Sequence, residues 1–151
     1  GAGPPRHLRG ATLGLGACGL LARARTRPHS DDRVSPTWAG PVVGVGFDSR
    51  KPPPIRNTRL YTAYTDLERD ADARARGHLS SPDGEARATF WLDESYRYLM
   101  LFTGDPLPDV NRRSLGIEPM TCAPNAFQSG QGLVTLQAGE SFAASWGIEL
   151  S

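Results

Sequence analysis

The chain has 151 residues, with 17 Lys and Arg set against 16 Asp and Glu, for a formal net charge of +1. That near-balance excludes the basic field that draws in nucleic acid or an anionic membrane, so an uncharged partner is expected. Hydrophobic residues make up only 38% while Gly and Pro number 17 and 13, a balance that favours short strands and many turns over long helices. No run approaches the ~20 apolar residues of a membrane-spanning helix. Cys18 and Cys122 are too few and too far apart for a disulfide framework or a zinc site, so free thiols and a cytoplasmic location are expected. The length fits one domain able to bury a core.

Residues 1–30 hold an apolar but Gly-rich run from Gly10 to Ala22, with Arg6 and Arg9 before it and Arg23, Arg25 and Arg27 after it. Glycine interrupts this run too often for the apolar centre of a signal peptide, so residues 1–30 are expected to be a poorly ordered or atypical leader. Gly14, Gly16 and Gly19 fit the G-x-G-x-x-G spacing, but no strand precedes them and no acidic residue stands where a ribose contact belongs. A dinucleotide site is therefore not expected.

From Asp31 the texture changes. Pro36-Thr37-Trp38 with Gly40 reads as a turn, Pro41 to Phe47 as a strand, and Asp48 to Pro54 as a proline-stiffened loop. Lys51-Pro52-Pro53-Pro54 also fits a polyproline II ligand, although such a run between strands commonly serves as a stiff connection. Leu60 to Thr65 alternates bulky and small residues and reads as a strand; the charged stretch Asp66 to Arg76 reads as a solvated excursion.

Ser80 to Gly84 is a turn signal, and residues 77–80 and 86–92 on either side of it make a hairpin. Tyr96 to Thr103 is the strongest strand pattern in the chain. It is expected to pair with Phe90–Leu92 in a central sheet, with Ser114 to Glu118 added beside it. Gly132 to Leu136 and Phe142 to Ile148 are expected to form a closing hairpin. In Ser114 to Glu118 an apolar face ends on a carboxylate, and Pro119 directly behind it restricts Glu118 to extended geometry. The strand is expected to stop there, with its acid at the rim of a sheet.

The wider wording around that acid carries a family resemblance. Glu118-Pro119-Met120-Thr121-Cys122-Ala123-Pro124-Asn125-Ala126-Phe127, Gly130, Gly132, Leu136 to Phe142 and Trp146-Gly147-Ile148 together resemble the C-terminal end of the aldose 1-epimerase (galactose mutarotase-like) family. The likeness extends upstream through Leu101 to Asp105, Trp91 to Asp93 and Leu60 to Leu67, reaching Asp31. It implies an all-β antiparallel β-sandwich, the galactose mutarotase-like supersandwich, of which residues 31–151 would be the C-terminal part. It further implies that Glu118 is the base that takes the anomeric hydroxyl proton of a free aldose such as glucose or galactose, with no cofactor and no metal. Tyr61 and Phe102 are expected to line the sugar.

Two features depart from the family. Tyr61 stands where members carry an Asp that binds sugar hydroxyls, and a tyrosine can stack on the sugar but cannot accept two hydrogen bonds as a carboxylate does. The His-Pro-Tyr-Leu phrase that supplies the general acid is absent, and the available histidines are His7, His29 and His78. The expectation is therefore weak or absent mutarotase activity in this chain alone, with a non-catalytic carbohydrate-binding or vestigial β-domain as the alternative. A sandwich lacking part of its strands exposes edges and apolar faces, so self-association is expected as a repair.

Overall fold

The computed structural model describes residues 19–22, 24–30, 36–41, 55, 58–109 and 111–151, the strands within 19–41 by their backbone pairing only. In chain order these residues form β1 (Gly19–Ala22), β2 (Ala24–Ser30), β3 (Pro36–Pro41), β4 (Tyr61–Leu67), β5 (Ala75–Ser80), β6 (Arg87–Leu92), β7 (Tyr98–Phe102), β8 (Gly116–Met120), the one-turn helix α1 (Ala126–Ser129) and β9 (Trp146–Leu150). Every strand pair is antiparallel. The strands make a four-stranded sheet, ordered β1-β5-β6-β9, and a five-stranded sheet, ordered β3-β2-β4-β7-β8.

The all-β expectation holds, and the core shows why the two sheets belong together. Ala75, Phe90 and Leu92 from the four-stranded sheet pack with Tyr64, Leu99 and Leu101 from the five-stranded one, joined by Ile55 and Leu60. Within their strands Phe90 and Leu92, and likewise Leu99 and Leu101, occupy alternate positions and so share a face, while β4 and β7 are also buried on their other face at Ala63, Tyr98 and Met100. Phe90 illustrates the tightness of fit. It lies opposite Gly77 in the β5–β6 ladder, where a methyl group on Gly77 would sit 2.1 Å from the Phe90 ring. Glycine at that point lets the ring cross the neighbouring strand.

Several expected elements are placed differently. Strand pairing already begins within the segment read as a leader, with β1 on β5 and β2 on β4. Pro36 to Gly40, read as a turn, form β3 together with Pro41, against β2. The expected strand beyond Pro41, with the proline run up to Pro54, lies outside the described residues.

The expected pairing of β6 with β7 is also overturned. Phe90 and Leu92 lie in one sheet and Tyr98 to Phe102 in the other, with β7 between β4 and β8. The five residues between them form an arch across the core rather than a hairpin, because Arg69 holds its carbonyls. Its guanidinium donates to Asp93 O at 2.9 Å and to Tyr96 O at 2.7 Å. Alternating apolar residues mark a half-buried strand without saying which sheet it joins.

The closing hairpin is absent as well. Residues 133–145 form no strand, and β9 instead pairs with β6. Asp93 starts that pairing, since its N–H donates to Ser145 O at 3.0 Å and its carboxylate accepts the Ser145 N–H at 2.5 Å. Finally, Pro119 does not end β8 but lies within it, opposite Leu99. β8 is an edge strand, and an edge tolerates proline where a central strand would not.

Candidate functional site

Strand register decides which side chains share a face. Tyr61 on β4 stands opposite Phe102 on β7, and Phe102 stands opposite Gly116 on β8. In the next row on the same face come Ala63, Met100 and Glu118. This face points away from the core cluster, which takes the intervening residues Tyr64, Leu99, Leu101 and Ile117. The three residues singled out from the sequence, Tyr61, Phe102 and Glu118, are therefore brought onto one outer face of three adjacent strands.

Their local geometry follows from their neighbours. The Tyr61 and Phe102 rings meet with centroids 5.1 Å apart and planes tilted by 53°, an arrangement that places a ring edge toward a ring face. Tyr61 remains 45% exposed, so its ring and hydroxyl are available to a ligand. Met100 and Ala63 are buried beneath, whereas Glu118 is exposed. Gly116 lies close to both Phe102 and Glu118: a methyl group there would lie 3.3 Å from Phe102 Cβ and 3.7 Å from Glu118 Oε1. The carboxylate stands diagonally beside the Phe102 side chain, in ordinary contact distance of the Gly116 position.

A second carboxylate borders the same aromatic pair. Asp105 follows β7 by three residues, its side chain 12% exposed, and bonds the fully buried Thr103 hydroxyl. Arg112 donates to Asp105 Oδ1 at 3.0 Å and also to Thr58 O at 3.1 Å. Arg59, whose side chain is largely exposed, brings its Nε to 3.7 Å from the same oxygen. Thr103 is anchored in turn, accepting the Leu60 N–H at 3.0 Å while its own N–H donates to Leu60 O at 2.9 Å. Burial pushes the Asp105 carboxyl up, but the Thr103 and Arg112 hydrogen bonds outweigh it and hold the group below the usual carboxylate range. Asp105 is thus an ionised acceptor and not a proton donor.

Arg59, Leu60, Tyr61, Phe102, Asp105 and Pro106 line a cavity of about 170 Å³. Sequence reading quoted Asp105 only as part of a longer phrase and gave it no role. The available signal was local: a Thr-Gly-Asp-Pro run at the end of the strongest strand, with Gly104 at φ 72° turning the chain back toward the aromatic pair. A wider hollow of about 410 Å³, lined by Glu94, Arg97, Thr121, Phe142 and neighbours, contains none of Tyr61, Phe102, Asp105 or Glu118.

Among the described residues no histidine side chain stands beside Glu118. His78 lies on β5 in the other sheet, its Nδ1 2.9 Å from the Thr89 hydroxyl. His7 and the side chain of His29 lie outside the described residues. Among the described residues no three His, Cys, Asp or Glu side chains cluster as metal ligands would, Cys122 is a free thiol, and no helix is long and apolar enough to cross a membrane.

These features define a class: an all-β domain of two antiparallel sheets, with a carboxylate and an aromatic pair on the outer face of one of them. No protein-family model matches the chain, and no curated protein matches it.

Proposed function

We propose that this chain acts on free aldoses as an aldose 1-epimerase-like protein, with Glu118 as the base and Tyr61 and Phe102 as the surface on which the sugar lies. The observation that supports this reading is the convergence of those three residues on one face of β4, β7 and β8. An aldose offers one C–H-rich face to an aromatic ring and hydroxyls around its rim. Asp105 and Arg59 supply an acceptor and a donor at that rim, and a cytoplasmic location fits the free thiol.

Mutarotation requires two proton transfers. A base removes the anomeric hydroxyl proton while an acid protonates the ring oxygen; the bond from the anomeric carbon to the ring oxygen breaks, the aldehyde carbon rotates, and closure on the other face gives the second anomer. Glu118 serves the first transfer and, once protonated, returns its proton on closure. Each such transfer contributes roughly 10²–10⁴-fold. With no protein acid assigned at the ring oxygen, water serves there and the rate is correspondingly low.

The placement of His78 on the opposite sheet supports a second reading, a carbohydrate-binding domain without catalysis. Polarimetry of freshly dissolved α-D-glucose and α-D-galactose separates the two. The epimerase reading expects a rate above buffer that Glu118→Gln removes while sugar binding persists. A buffer rate from folded protein, with binding lost in Tyr61→Ala, establishes the binding domain. Neither rate nor binding ends both.

A further inference from the structure

The edge of β9 takes no part in the site chemistry. β9 lies at the end of the four-stranded sheet, and among the described residues no strand pairs with its outer side. The hydrogen bonds to β6 fix which backbone groups face outward. Arg87 and Ser151 exchange bonds of 2.7 and 2.9 Å, and Asp93 N–H donates to Ser145 O at 3.0 Å. In an antiparallel ladder, bonded and non-bonded pairs alternate. Residues 145, 147, 149 and 151 therefore spend their amides on β6, and Trp146, Ile148 and Leu150 turn their N–H and C=O groups outward.

The side chains of those same three residues are exposed. In register with Leu92, Phe90 and Ala88 they lie on the core side of the sheet, yet they are 53%, 54% and 82% exposed. A core-side apolar stripe running out to an unpaired edge is the pattern that natural edges avoid unless something covers it.

We infer that the cover is a second copy of this chain, joined by antiparallel pairing of β9 with β9 about a two-fold axis at Ile148. The strand is self-complementary in that register. Ile148 meets Ile148, Trp146 meets Leu150, and Gly147 meets Glu149, so aromatic and aliphatic side chains stack on one face and no two glutamates face each other on the other. The outward groups of Trp146, Ile148 and Leu150 then form roughly six backbone hydrogen bonds.

Charge agrees with this register. Trp91 covers Gly147 so closely that a methyl group there would lie 2.7 Å from Nε1, and the Arg74 guanidinium sits 4.0 Å above the Trp91 ring. Glu149 of one copy, opposite Gly147 of the other, is thereby brought toward Arg74. The three apolar side chains expose roughly 400 Å² per copy, about half of the ~800 Å² per partner of a standard interface. The strand backbone and flanking residues supply more, which places the contact among weak, reversible interfaces.

Sedimentation velocity of the full chain from about 1 to 500 μM tests this. The expected result is a monomer–dimer equilibrium that Ile148→Lys, which sets two charges against each other on the axis, weakens at least tenfold with an unchanged circular dichroism spectrum. Ile148→Cys gives an independent reading, because paired residues of this kind have Cα atoms ~5.5 Å apart, within disulfide range. On mild oxidation it should yield a covalent dimer linked from position 148 to position 148. A monomer throughout the range, a dimer indifferent to Ile148→Lys, or a covalent dimer linked elsewhere overturns the proposal.

Discussion

The outer faces of the two sheets are both rich in polar and aromatic side chains, and they use them in opposite ways. On the four-stranded sheet and the turn beside it, Arg76 contacts Asp70 and Asp72 at 2.6 Å each, Arg74 lies over Trp91, and His78 contacts Thr89. These groups are occupied with one another. On the five-stranded sheet, Glu118 stands exposed on the same face as a half-exposed Tyr61 and its aromatic partner Phe102. The comparison shows that abundance of charge does not mark a site. An exposed charged group that, among the described residues, shares its face with an aromatic pair is the better indicator.

The largest expected effect lies on the five-stranded face. If the chain is an epimerase, Glu118→Gln lowers the enzymatic rate by about 10²–10⁴-fold while leaving the melting midpoint in place, because the residue is exposed. The same isosteric change at Asp72 on the other face leaves the rate unaltered. An equal loss in both variants would abolish the distinction between the faces.

Next in size are two changes that bear on how each sheet is held. Gly77→Ala forces a methyl group into the space of the buried Phe90 ring and should cost about 1–3 kcal/mol in urea unfolding. Thr103→Val keeps the shape but leaves the Leu60 N–H and the Asp105 carboxylate without their hydroxyl partner, a loss of about 1–3 kcal/mol. The two differ in a second readout. Thr103→Val frees Asp105 and should weaken sugar binding at the adjacent cavity, whereas Gly77→Ala should destabilise the fold without changing the affinity of the molecules that remain folded.

Sequence reading found the strands that advertise themselves and missed the partners they choose. The β5–β6 hairpin was legible because the Ser80 to Gly84 turn ties two alternating segments together directly. β7 was legible as a strand from its alternation, but its place between β4 and β8 was not, because the Arg69 contacts that make residues 93–97 an arch join positions more than twenty apart. The turn expected from Pro36 to Gly40 rests on Pro and Gly, which edge strands also carry, and β3 is an edge. Tyr61, Phe102 and Glu118 were named from wording, and their shared face rests on register parity across three strands. Asp105 was missed because what distinguishes it, the convergence of Thr103, Arg59 and Arg112, exists only after folding.

The smallest expected effect concerns acid. Asp105 and Asp72 both have depressed carboxyl pKa values, Asp72 to about 2, chiefly through the Arg76 hydrogen bond. A carboxyl group with a folded pKa below its unfolded value, ~3.9 for Asp, binds protons less readily when folded. Its contribution to stability is therefore present above pH ~4 and is lost as the pH falls through the folded value. The surroundings differ: Asp105 is 12% exposed and fixed by a buried hydroxyl, while Asp72 is 47% exposed and its pairing is open to screening. Unfolding midpoints measured from pH 5 down to pH 2 in 0.5 M salt should accordingly fall less steeply for Asp105→Asn than for the parent, and no differently for Asp72→Asn. Parallel curves for the parent and Asp105→Asn would mean that the Thr103–Asp105–Arg112 network is too loosely held to favour the ionised carboxylate. The cavity beside Tyr61 would then lose the fixed acceptor that distinguishes this face from the other.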